Sequence, residues 1–196
     1  MAQSRAIQVL ADRIIPGEGI LWDAGRIAAA NLLLVLCAWI AVPLPWTPVP
    51  ITGQTFGVLL VAVLLGSRRG AIALGFYLLE GLAGLPVFQP FGLPGAARLA
   101  GPTAGYLLAY PVAAFATGWL VERGAGKTAS RLAGALLSGE FLIFACGCAW
   151  LAAGLRMGWS GAVAAGFTPF VAGEVIKMAL VIAAVRGVEH VRQQRA

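Results

Sequence analysis

Glu174 and Lys177 stand three residues apart in the stretch PFVAGEVIKMALVIAAVRG, and the residues around them are apolar. On a helix that spacing puts both side chains on one face. A carboxylate only accepts hydrogen bonds and an ammonium only donates them. Side by side they can hold a small polar head that carries both N–H donors and a carbonyl. The plain structural alternative is an ion pair that stitches the helix to itself, or to Glu80 or Glu140. A buried ion pair stabilises poorly against apolar replacement, because desolvation offsets its attraction. A ligand is therefore the more economical reason for the pair. Arg98, in a Pro/Gly-rich stretch, supplies a planar fork suited to a carboxylate. Gln54, Thr103 and Tyr106 can add neutral hydrogen bonds. Trp39, Trp46, Phe56, Tyr77 and Phe88 are candidate apolar walls.

The elements that must position these groups are membrane helices. Of 196 residues, 60% are hydrophobic and only 11% charged, against about 25% charged in an average soluble domain. Apolar runs long enough to span a bilayer recur at roughly Ala24–Val42, Thr52–Gly66, Gly70–Leu85, Thr103–Val121, Leu132–Leu155 and Thr168–Val188. The reading is an all-α integral membrane protein: one domain over residues 1–196, with six transmembrane helices. GWSGAVAAG, before the sixth, reads as a short interfacial helix. Pro and Gly break up the connectors VPLPWTPVPIT and GLPVFQPFGLPGAARLAGPT, where regular helix is not expected. The first ~25 residues carry six charges and no uninterrupted apolar core of a cleavable signal. Residues 1–23 are expected to be a cytoplasmic or interfacial lead-in, with IQVLADRII lying on the membrane surface.

The basic residues orient the bundle. With the N-terminus inside, the cytoplasmic segments hold Arg5, Arg13, Arg26, Arg68, Arg69, Arg123, Lys127, Arg131, Arg186, Arg192 and Arg195, while the outer connectors hold only Arg98 and Arg156. The positive-inside rule then favours N-in, C-in, with the Pro/Gly-rich connectors extracellular. Glu80, Glu140, Glu174 and Lys177 fall within spans. Ionisable groups there mark a substrate or ion site by default.

Other chemistries lack their parts. RGAGKTAS resembles the end of a phosphate-binding loop, but the pattern needs Gly where Val121 stands, and a membrane helix rather than a strand precedes it. Ser138 in LLSGEF has no base nearby, and the one histidine, His190, follows the last span. Cys146 and Cys148 lack the further ligands of a metal site. The basic residues are dispersed rather than gathered beside aromatics, so nucleic acid is not an expected partner. Neither enzyme activity nor a cofactor is expected; membrane lipid is.

Four stretches occur in order: VPLPWTPVPITGQTFGVLLVAVLLGSRRG, YLLEGLAGLPVF, RLAGPTAGYLLAY and PFVAGEVIK. Their succession, from about Val42 to Lys177, resembles the BioY family, the biotin-binding S components of energy-coupling factor (ECF) transporters. P-V-P-I-T-x-Q-T, G-L-P-V-F and G-P-T-x-G-Y are its most specific signatures. The resemblance implies a six-helix fold of a bacterial cytoplasmic membrane, with biotin held near the outer face under extracellular connectors. It also implies a membrane coupling protein and cytoplasmic ATPases as partners. Glu174 would accept from a ureido N–H of biotin, Lys177 would donate to the ureido oxygen, and Arg98 would bind the carboxylate. An Ala-x-x-x-Ala face on the first helix, here Ala24 and Ala28, would dock the coupling protein; internal packing of small residues is the equal alternative. Two positions depart from the family. Glu174 stands where Asp is usual, and the third connector, QPFGLPGAA, carries two prolines where the family is often glycine-rich. A different vitamin, or a membrane scaffold with no ligand, are the competing functions.

Overall fold

The computed structural model describes residues 9–14 and 16–194. Arg5 and Arg195 lie outside the described residues, as do Ile7, Gln8 and Ile15 of the lead-in and the side chains of Arg13 and Arg192. The fold is mostly helical. A short α1 (Leu10–Ile14) leads into α2 (Ile20–Trp39). α3 covers Gln54–Leu82, α4 Ala104–Glu122 and α5 Ala129–Ala149, which runs on as a π-helical turn over Trp150–Gly154. α6 (Gly158–Gly166) is the short helix expected from GWSGAVAAG, and α7 spans Val171–Gln193.

Among the described residues, five helical segments are long and apolar enough to cross a membrane: Ile20–Trp39, Gln54–Leu82, Ala104–Glu122, Ala129–Gly154 and Gly158–Val191. The expected second and third spans both overlap the second of these. α3, however, is not straight. Gly66 adopts φ 77°, ψ −170°, outside helical space. The Gln54 amide nitrogen lies 2.7 Å from the Tyr77 hydroxyl, whereas 23 residues of straight helix would separate them by about 34 Å. The chain therefore folds back at Gly66, and residues 54–65 and 67–82 pack side by side. A positive φ suits glycine, and the site leaves no room for a side chain: a Cβ on Gly66 would come within 2.3 Å of the Glu122 carboxylate. That carboxylate accepts from the Ser67 amide at 2.7 Å and the Ser67 hydroxyl at 2.8 Å, capping the second arm from outside. On the far side, a Cβ on Gly118 would lie 2.4 Å from the Gly66 carbonyl carbon, so α4 presses directly on the turn.

α3 packs between α2 and α4, α4 against α5, and α7 against both α3 and α5. One apolar cluster joins α2, α3, α4 and α5 through Leu34, Val58, Leu74, Tyr77, Ala113 and Ile143. A second joins α3, α5 and α7 through Leu59, Val63, Leu132, Leu136, Val181 and Val185. Large apolar side chains such as Leu32, Leu36, Phe141, Val175 and Ile176 point outward, as lipid-facing residues do.

The connectors are more ordered than their composition suggests. The first is closed by a two-residue antiparallel ribbon, β1 (Ala41–Val42) on β2 (Ile51–Thr52), a short extended element in a mostly helical fold. The second contains a 3-10 turn, Gly95–Ala100. At the opposite end, Arg26 and Arg69 meet Asp12 and Asp23 in four contacts of 2.6–3.0 Å, which tie α1 to α2 and to the second arm of α3.

Candidate functional site

Pro169 lies in the 3-10 turn Thr168–Phe170 that leads into α7, where its fixed φ and missing N–H suit a helix start. Glu174 follows in the first turn of α7, where the partial positive charge of the helix end favours a carboxylate. The Lys177 ammonium donates to Glu174 Oε1 at 2.7 Å. Both are nearly enclosed, with side-chain exposures of 14% for Lys177 and 9% for Glu174. Thr55, in the first turn of α3, completes a triangle: its hydroxyl donates to Glu174 Oε2 at 2.6 Å and accepts from Lys177 Nζ at 3.0 Å. A hydroxyl with one proton and two lone pairs can do both at once. The pair thus bridges α7 to α3, not to Glu80 or Glu140.

A cavity of about 30 Å³ adjoins this triangle, and Gln54, Thr103, Tyr106, Glu174 and Lys177 all line it. Five of the seven expected site residues therefore converge, from three helices and one connector. Tyr77 does not line it. That side chain is fully buried behind Gln54, accepting from the Gln54 amide and donating to the Val87 carbonyl at 3.0 Å. It positions Gln54 rather than walling the cavity. Tyr106 donates to the Gly166 carbonyl at 2.7 Å, which fixes the ring and ties α4 to α6.

Arg98 lies in an adjoining cavity of about 210 Å³ that shares Pro50 and Thr103 with the first. The residue is buried, and its guanidinium donates to the Phe91 carbonyl and, at 3.0 Å, to the Gln89 carbonyl. Burial lowers its pKa below the usual arginine value. Arg98 thus holds its own connector folded as well as facing a cavity, a second task that sequence reasoning did not foresee.

The expected aromatic walls are corrected. Trp39 and Trp46 are 56% and 69% exposed, Phe88 packs edge-on against Tyr77, and Phe56 packs against the second apolar cluster. Tyr110, Phe144 and Phe170 line the cavity beside Tyr106 instead. Sequence reasoning missed them, and Thr55 as well. Thr55, Tyr110 and Phe170 lie inside the motifs ITGQTF, RLAGPTAGYLLAY and PFVAGEVIK, so a signal existed; Phe144 is an ordinary apolar-run residue with none. Glu140 is buried, and neither of its oxygens has a hydrogen-bond partner among the described residues.

Elsewhere, Gly124 is left-handed and Ala125–Lys127 form a 3-10 turn after α4, so RGAGKT has neither the strand nor the loop of a nucleotide site. The Ser138 hydroxyl is spent on the Ala135 carbonyl. Ala24, Gly25 and Ala28 face outward on α2, and a Cβ on Gly25 would meet no atom within 4 Å.

A multi-pass helical membrane protein with a polar cluster enclosed among its spans is the class that this geometry defines. Residues 13–194 match the BioY family, and the chain belongs to it. It is 38% identical over 165 residues to the biotin transporter BioY of Rhizobium etli, covering 81% of this chain and 86% of that protein. It is 36% identical over 174 residues to the biotin transporter BioY2 of Lactococcus lactis subsp. cremoris, covering 87% and 93%. The fold is similar to a crystal structure of the S-component for biotin from an ECF-type ABC transporter, with a TM-score of 0.77, 24% identity, and coverage of 89% of this chain and 95% of that one.

Proposed function

We propose that this protein is the substrate-binding membrane subunit of a biotin-uptake system in a bacterial cytoplasmic membrane. The observation that carries the reading is the Thr55–Glu174–Lys177 triangle beside a cavity, in a chain whose relatives are named biotin transporters. Biotin has a ureido ring with two N–H donors and one carbonyl, an apolar bicycle and a terminal carboxylate. Glu174 accepts from a ureido N–H and Lys177 donates to the ureido oxygen. The bicycle lies against Tyr106, Tyr110, Phe144 and Phe170. The carboxylate points to Arg98, whose cavity continues from the first through Pro50 and Thr103.

In this reading the two arms of α3 cross separately, which makes six crossings, N-in and C-in, with the site toward the outside. The fold-back at Gly66 and the basic residues near it support that orientation. Cysteines placed at the exposed positions 68 and 46 should react with an impermeant thiol reagent from the inside and the outside respectively; the reverse result overturns the orientation. An ECF coupling protein docks on the outward-facing Ala24 and Ala28 and links the subunit to cytoplasmic ATPases. Ala28→Trp should weaken that assembly and spare biotin binding.

The deciding experiment is the melting temperature of the purified protein with biotin, thiamine or riboflavin. A ligand bound only by the native state must raise it. Biotin alone should do so. A shift with another vitamin instead reassigns the substrate. One observation favours a ligand-free scaffold: the triangle already satisfies its own hydrogen bonds. That reading requires no ligand to shift the transition.

A further inference from the structure

The least explained group in the molecule is Glu140. It sits in the middle of α5, 6% exposed, with no donor to either oxygen among the described residues. Such a group inside a span is costly and calls for a function. Its surroundings indicate one. Phe144 lies one helical turn further along the same face of α5. Phe144 and Glu174 both line the 30 Å³ cavity, and both also line a 520 Å³ apolar groove bounded by α5, α6 and α7, whose lining includes Glu140 with its carboxyl oxygens covered. Phe144 and Glu174 therefore form a partition, with the cavity on one side and Glu140 on the other.

The cavity has room for no more than about two waters, too little for a bicyclic head. Binding must enlarge it, and the adjoining free space is the groove. Moving the partition toward the groove brings Glu140 to the edge of the site. The chemistry needs an acceptor there. Each Glu174 oxygen already has one donor, Lys177 or Thr55, and a cyclic urea presents two N–H donors on opposite edges. One carboxyl can serve one edge.

We propose that Glu140 is a second ligand acceptor, the residue by which the site selects heads that carry two N–H donors. This rests on the biotin reading above.

The test titrates biotin, and its two derivatives methylated on one or the other ureido nitrogen, against purified wild type, Glu140→Ala and Glu140→Gln, with melting temperatures of the unliganded proteins alongside. Wild type should lose at least about tenfold in affinity for each methylated derivative, the effect of removing a hydrogen bond to a charged group. Glu140→Ala should bind biotin at least about tenfold more weakly, yet bind one of the two derivatives about as well as wild type does. Glu140→Gln, which keeps a carbonyl oxygen, should lose less. Wild-type tolerance of both methylations overturns the proposal and needs no variant. So does an unchanged biotin affinity in Glu140→Ala, or an equal loss for all three ligands with a lowered melting temperature, which makes Glu140 structural. Failure of wild type to bind biotin at all sinks the function reading itself, and is distinguishable because it appears before any substitution.

Discussion

Two regions of this molecule enclose charge, and they do it differently. At the end of the bundle near the Gly66 turn, Asp12 and Asp23 face Arg26 and Arg69, two acids against two bases, all within 3.0 Å of a partner. The cluster joins three helix ends, and its two aspartates keep 24% and 33% side-chain exposure. Among the spans, Lys177 is bonded to Glu174, Thr55 links that pair to the facing helix, and the buried Glu140 carboxyl has no hydrogen-bond partner among the described residues. Balanced, partly wet charges at helix ends hold elements together at small desolvation cost. An unbalanced set in a dry span does so poorly. It is better suited to meeting a ligand whose own polar groups complete it. The first region acts as fastening, and the second is the proposed site.

The contrast can be broken by substitution. The largest effect expected on folding is that of Arg26→Ala, which leaves Asp12 and Asp23 with Arg69 alone and should cost about 1 kcal/mol, since both aspartates are partly exposed. Its melting temperature should fall while its biotin dissociation constant stays within about twofold. A variant that loses biotin affinity without loss of stability would erase the distinction. Lys177→Ala should do the opposite, weakening biotin by about 10- to 150-fold, or roughly 1.5–3 kcal/mol, with little change in the unliganded melting temperature. Unchanged affinity with a destabilised protein would make the Lys177–Glu174 pair a second fastening.

Arg98 tests a group that belongs to both regimes, because it clamps the Gln89 and Phe91 carbonyls while facing a cavity. Arg98→Ala should weaken biotin by about tenfold and weaken biotin amide by less, and it should also lower the melting temperature modestly. Equal losses for acid and amide would remove the carboxylate from its duties. Glu174→Asp is the mildest change. It keeps the charge, shortens the arm by one methylene, and restores the residue usual in the family; less than about threefold in affinity is expected, under 1 kcal/mol. A tenfold loss would mean that this chain has repacked around the longer side chain, with Thr55 as the first place to look.

How much of this was legible beforehand follows from the range of each interaction. Glu174 and Lys177 are three apart on one helix, and helical geometry puts them together whatever the rest of the chain does. Apolar runs, basic termini and Pro/Gly-rich connectors are likewise local, so membrane helices and their rough bounds could be read from the chain alone. The motifs also brought Gln54, Thr103 and Tyr106 into the candidate set, and the structure gathers these three around one cavity with Glu174 and Lys177. The partner of the charge pair was a different matter. Thr55 lies 119 residues from Glu174 and meets it only because α3 and α7 pack with those particular faces opposed. Tyr77 changed from wall to support because the fold-back at Gly66 places it behind Gln54. The exposed tryptophans, the buried clamp of Arg98 and the burial of Glu140 without a donor depend on which side of each helix faces protein and which faces lipid. In an apolar sequence both sides look alike, since side chains facing lipid and side chains facing the core have the same chemistry. Composition and spacing alone therefore determined the environment, the helices and the charge pair. Tertiary packing decided which side chains share a cavity, because that depends on helix rotation, which an almost uniformly apolar chain does not encode locally.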